Sequence, residues 1–173
     1  LEVSRLVEIG SATATSLVTQ AALQENFTYA IVLLKDASAK IEEILPLQER
    51  VVQIYEELTL TAEDQDKQIF TNTAKLEKAK LKLLEAFKYM AEGMIPFFTA
   101  LDEMAEVTEV PTAEQKTRWI ALLTDAQENL ETAVQCLQAV EEMEPELVSL
   151  QAEQMLNELL FVVGSLKLVL QLL

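Results

Sequence analysis

Apolar residues recur along the chain in steps of three and four, the spacing that lines one face of an α-helix. One stripe runs Leu23, Phe27, Ala30, Leu34, Ala37, Ile41, Ile44, Val51, Tyr55, Leu58. A second runs Leu76, Leu83, Phe87, Met90, Met94, Phe97, Leu101, Met104. A third runs Ile120, Leu123, Ala126, Leu130, Val134, Leu137, Val140, Leu147, Leu150, Met155, Leu159. Each stripe crosses a proline (Pro46, Pro96, Pro145) without losing phase, so each reads as one long helix kinked at its proline. The openings are alike too: Thr13-Ala14, Thr61-Ala62-Glu63-Asp64 and Pro111-Thr112-Ala113-Glu114 offer a hydroxyl cap, the last two followed by first-turn acid.

The units 13–60, 61–110 and 111–159 thus read as copies with a period of about 50 residues, suited to helical repeats. Short connections near Leu60-Thr61 and Val110-Thr112 make consecutive helices antiparallel neighbours. The expected fold is all-α: one domain over 1–173, an elongated antiparallel bundle of three long Pro-kinked helices. Residues 1–12, with Val3, Leu6, Val7 and Ile9 before Gly10-Ser11, read as a short terminal helix. A turn at Gly164-Ser165 is expected to set off 160–173 as an apolar terminal segment. The two ends would share a fourth position in the bundle.

Reflecting the chain about its two turns sets a register. It places the basic cluster Lys75, Lys78, Lys80 and Lys82 between Glu42 and Glu43 on one side and Glu141, Glu142 and Glu144 on the other. It also places Pro46 and Pro145 opposite Asn72-Thr73, and Pro96 opposite Asn26 and Thr124-Asp125, giving two levels at which the rod would soften.

Composition sharpens this picture. Half of the 173 residues are apolar, and three glycines and four prolines leave little material for turns. A formal net charge of −16 argues against nucleic acid as a partner, because phosphate backbones would be repelled. The lone cysteine, Cys136, cannot form an internal disulfide, which favours a cytoplasmic, reducing compartment. No basic-then-apolar leader opens the chain, and it does not begin with methionine, which reads as a trimmed or processed product. The longest apolar run, Leu159 to Leu173, is interrupted by Lys167 and Gln171 and is shorter than a stable transmembrane span.

The absence of histidine removes the common general base, the Ser-His and Cys-His pairs and the commonest zinc ligand. Carboxylate pairs such as Glu56/Glu57 read as solvated faces. No catalytic, metal or cofactor residues are assigned. Two apolar groupings stand out instead. Met90, Met94, Phe97, Phe98 and Met104 gather around Pro96 as a candidate adaptable pocket for an apolar small molecule. Leu160, Phe161, Val163, Leu166, Val169 and Leu170 form a candidate interface on the apolar tail. The expectation is a non-enzymatic interaction or scaffold module that binds a partner helix or a second copy through its apolar terminal segments. The alternatives are a carrier of an apolar ligand and a membrane-inserting helical protein.

Overall fold

A computed structural model describes residues 27–148 and 150–172. Among these residues every regular element is helical: α1 (Phe27–Thr61), α2 (Asp64–Ala105), α3 (Ala113–Met143), a single 3₁₀ turn at Pro145–Leu147, and α4 (Leu150–Leu172). The expected terminal helix 1–12 and the start of the first unit lie outside the described residues.

The first two prolines sit inside helices. α1 runs through Pro46 and α2 through Pro96 without a break. Pro145 behaves differently, and the third long helix expected to pass through it is in fact two. Proline disfavours the helical conformation in the residue before it, and Glu144 takes φ −151° and ψ 82°. Glu141, Glu142 and Glu144 also crowd the carboxyl end of α3, where negative charge opposes the helix dipole. The chain turns through the 3₁₀ segment and α4 begins. No turn occurs at Gly164-Ser165, which lie within α4.

Thr112 caps α3 as its sequence suggests. Its hydroxyl accepts from the Gln115 amide at 3.2 Å, while its own amide donates to Gln115 Oε1 at 2.9 Å. Thr61 does not cap α2. Its hydroxyl donates backwards to the Glu57 and Leu58 carbonyls, and Glu63 takes the N-cap position without a side-chain bond. Asp64 and Asp66 still supply acid to the first turn.

Successive helices pack antiparallel, and the principal contacts join α1 to α2, α2 to α3 and α3 to α4. The direction follows from named pairs. Thr28 bonds Asp102 and Gln48 bonds Glu77, while Arg118 reaches Glu103 and Gly93 meets Leu130. α2 uses two opposite faces for this. Phe98 stacks on Phe27 of α1 with ring centroids 5.8 Å apart. Phe98, Ala91 and Leu84 repeat every seven residues on that side. Gly93, with Ala86 and Ala100 at the same spacing, faces α3. At about 100° per residue the two series lie roughly 160° apart around the helix. The helices therefore follow one another in a row, with α2 covered on both sides and α4 at one edge.

The α2–α3 seam is a large-to-small interdigitation. α2 alternates Leu83, Met90 and Phe97 with Ala79, Ala86, Gly93 and Ala100, all buried. α3 alternates Leu123, Leu130 and Leu137 with Ala126, Ala133 and Val140, also buried. Small residues let the helices approach closely, so each leucine of α3 can enter the space above a small residue of α2. Register against α3 follows the sequence reflection. Register against α1 does not: Lys78 pairs with Glu56, and Lys88, farther along α2, takes Glu42 at 2.9 Å. Lys80 and Lys82 pair within their own helix, with Glu77 and Glu85. Among the described residues no ion pair joins the Lys75–Lys82 cluster to Glu42, Glu43, Glu141, Glu142 or Glu144. The turn is centred on Ala62-Glu63, beyond the position the reflection assumed, and this alone moves each facing residue. Pro46 accordingly no longer lies opposite Asn72-Thr73.

Candidate interaction surface

From Leu159 onward α4 is apolar nearly all round, and a helix of that kind is normally buried. α3 covers one side. Leu156, Leu159, Val163 and Leu170 form the inner stripe and are buried against the core. Leu160 and Leu166 flank it, half-buried. The opposite side has no neighbour among the described residues. There Phe161 is 76% exposed and Leu172 79%, with Val162, Leu168 and Val169 also exposed. Its seam reads Gln154, Glu158, Phe161, Ser165, Leu168, Leu172, alternating steps of four and three, the spacing of a helix packed against another helix. Gln154 donates to Glu158 and the Ser165 hydroxyl to the Phe161 carbonyl, so these polar groups are satisfied within α4. A shallow, open groove lined by Glu153, Gln154, Asn157, Glu158, Phe161 and Val162 lies at its amino end.

The charge of this surface is unlike that of the other described helices. Residues 159–172 contain no acid and one cation, Lys167, in a chain of net charge −16. Lys167 points back towards α3, where its Nζ donates to Gln127 Oε1 at 3.3 Å. The helix is also longer than the apolar run of the sequence suggested, because it starts at Leu150. By length and composition alone, Glu153–Leu172 could cross a membrane.

The structure thus divides the interface residues expected from sequence. Phe161 and Val169 face outwards, whereas Val163 and Leu170 are buried against α3 and are not available to a partner. Leu160 and Leu166 lie at the boundary. Val162, Leu168 and Leu172 belong to the exposed face and were missed. Extending the three-four spacing from Phe161 finds Leu168 and Leu172.

The residues around Pro96 have gone into the core. Met90, Met94, Phe97 and Phe98 are buried, Met94 completely, and Met104 packs half-buried beside them. Phe97 and Phe98 contact each other at 5.5 Å between centroids. Both described grooves are lined by other residues.

Polar sites elsewhere are structural in their geometry. Arg118 grips Glu103 with Nε and Nη2 at 2.7 to 3.0 Å, and the indole Nε1 of buried Trp119 donates to the same carboxylate at 3.2 Å. The bonds from Arg118 hold the Glu103 carboxyl below the usual carboxylate range, against the opposing effect of partial burial. Cys136 is buried, and that burial pushes its thiol pKa up. Buried Gln48 donates to both the carbonyl and the carboxylate of Glu77, which also holds Lys80 at 2.7 Å. Among the described residues no group of three His, Cys, Asp or Glu could hold a metal ion.

No family model matches this chain, and no curated protein or solved structure matches it. The functional reading rests on its own residues.

Proposed function

We propose that this chain is a non-enzymatic interaction module, an elongated array of antiparallel helices that docks a partner on the outer face of α4. The array would descend from a unit of about 50 residues, kinked at Pro46 and Pro96. The observation that carries the reading is the strip Phe161, Val162, Leu168, Val169 and Leu172. These five side chains are exposed together, on one helix, in the longest stretch without acid among the described residues. Leaving such a strip in water forgoes burial worth roughly 25 cal/mol per Å² of apolar surface. Concentrated apolar surface of this kind marks association sites.

Native mass spectrometry of the gently purified chain tests this. The reading expects an assembly that is lost in Phe161→Glu. A chain that is bare and monomeric in both forms would remove it. A second reading has one observation behind it: Glu153–Leu172 is long and apolar enough to enter a bilayer. It expects leakage from neutral-lipid vesicles, abolished by the same substitution. The carrier reading has no comparable support, since Met90, Met94, Phe97 and Phe98 are packed among neighbours.

A further inference from the structure

We infer that the partner of α4 is a second copy of the same chain, its α4 packed antiparallel across the outer face. This rests on the interaction-module reading above and names its occupant. Three features of the face support it.

The first is self-complementarity. Along the seam the residues Phe161, Ser165, Leu168 and Leu172 map onto themselves when the helix is reversed: Phe161 of one copy faces Leu172 of the other, and Ser165 faces Leu168. A two-fold interface needs the same patch to fit itself in this way. The centre repeats the rule of the α2–α3 seam, a large residue entering the space over a small one. There Gly93 is met by Leu130. Here Ser165 awaits Leu168, and Gly164 beside it has nothing within 4 Å of the space a Cβ would fill. A glycine inside a helix weakens it by up to about 1 kcal/mol, and among the described residues nothing packs at Gly164 in return.

The second is charge. Two bodies of net charge −16 repel, so a contact between them must fall where acid is missing. Among the described residues, 159–172 are the longest such run. A parallel pairing would bring Glu153 and Glu158 of both copies side by side. The antiparallel one sends them to opposite ends, beyond the apolar seam, and also opposes the helix dipoles.

The third is area. The five exposed side chains present about 500 Å² of apolar surface, the size of a functional patch. Two copies would bury about 1,000 Å², the lower edge for a specific interface. The dimer is therefore weak, with Kd of roughly 1–100 μM.

Sedimentation velocity on the full chain across that concentration range, with pairwise disulfide trapping, tests the inference. The monomer should give way to a dimer, and Leu168→Glu should raise Kd at least ten-fold while leaving the helical circular dichroism unchanged. Leu47→Glu, on the exposed side of α1, should not. Mixing Phe161→Cys with Leu172→Cys under mild oxidation should give a disulfide-linked dimer, while neither variant alone does so. Single variants that each link to themselves would show a parallel pairing and overturn the antiparallel one. A dimer unaffected by Leu168→Glu, with no trapping, would place the contact elsewhere and overturn the inference. A different protein released by Phe161→Glu would overturn the second copy as partner but keep the module reading. A monomer throughout, without a partner, would overturn both.

Discussion

Gly93 is where α2 and α3 come closest, and Gly93→Ala measures how tightly that seam is set. The same substitution has two opposed effects. Alanine is the better helix former, by about 1 kcal/mol in a helix interior. The added Cβ, however, would sit 2.8 Å from Leu130 Cγ and 3.0 Å from the Ala126 carbonyl oxygen. Neither can step aside cheaply. The first is the branch point of a fully buried side chain, and the second is backbone in the middle of α3. Overpacking of this kind costs about 1–3 kcal/mol. The net expectation is a loss of about 0–2 kcal/mol after the propensity gain is deducted. Gly164→Ala is the matched control, because nothing lies within 4 Å of its Cβ position. Measured at concentrations where the chain is monomeric, it should stabilise by about 0.5–1 kcal/mol. Urea unfolding followed by far-UV circular dichroism gives both values. In a chain of this size, 1 kcal/mol corresponds to about 2–4 °C in Tm. If Gly93→Ala stabilised the protein as much as Gly164→Ala does, the close approach of α2 and α3 would be refuted.

Two further expectations concern titratable groups. The Glu103 carboxyl is held below its ordinary pKa by Arg118, so its contribution is present above the unfolded pKa and fades as pH falls through the depressed folded one. Glu103→Gln should therefore be less stable than the parent at pH 7, with the difference closing in acid. Emission from Trp119, the sole tryptophan, reports unfolding directly. Because Cys136 is buried with a raised pKa, it should react with a thiol reagent at pH 8 at least ten-fold more slowly in the native chain than in denaturant.

The all-helical fold was legible because its large apolar residues keep helical spacing over long runs, and α3 shows how far this goes. Leu123, Ala126, Leu130, Leu137 and Val140 were expected in the stripe and are buried. Trp119, Ala133 and Cys136 complete the buried set, while Ile120 and Val134 sit half-buried at its margin. In α2 the large residues alone were misleading. Six of its thirteen buried residues, Ala74, Ala79, Ala86, Ala91, Gly93 and Ala100, are too small to stand out as a stripe. Their seven-residue repeat was visible, but the need for them appears only once α3 lies alongside. The α1 stripe has as regular a spacing as the others, yet the helix buries only Ala30, Leu34, Ser38, Gln48 and Val52. Two of these are polar, and Gln48 is held by Glu77, a contact that no apolar pattern announces. Proline is ambiguous for a similar reason. Whether it bends a helix or ends it depends on what the next turn can pack against. Around Pro96 the turn is buried, whereas before Pro145 it is a run of acids.

Among the described residues the row of helices has two edges, and the contrast between them bears on where association occurs. α1 exposes Tyr29, Val32, Leu47, Ile54, Leu58 and Leu60, a comparable number of apolar side chains. There, however, they are interleaved with charge. Lys40 pairs with Asp36 and Arg50 with Glu57, all four largely exposed. Covering that edge would strip water from several ionic groups, whose desolvation offsets what the apolar contacts contribute. The outer face of α4 imposes no such cost. From Phe161 to Leu172 its only polar side chains are Ser165, which bonds within the helix, Lys167, which leans towards Gln127, and Gln171. Equal apolar exposure on the two edges therefore does not imply equal affinity. The decisive difference is the charge that would have to be dehydrated, and it is smallest where the chain has removed every carboxylate from a surface otherwise dominated by them.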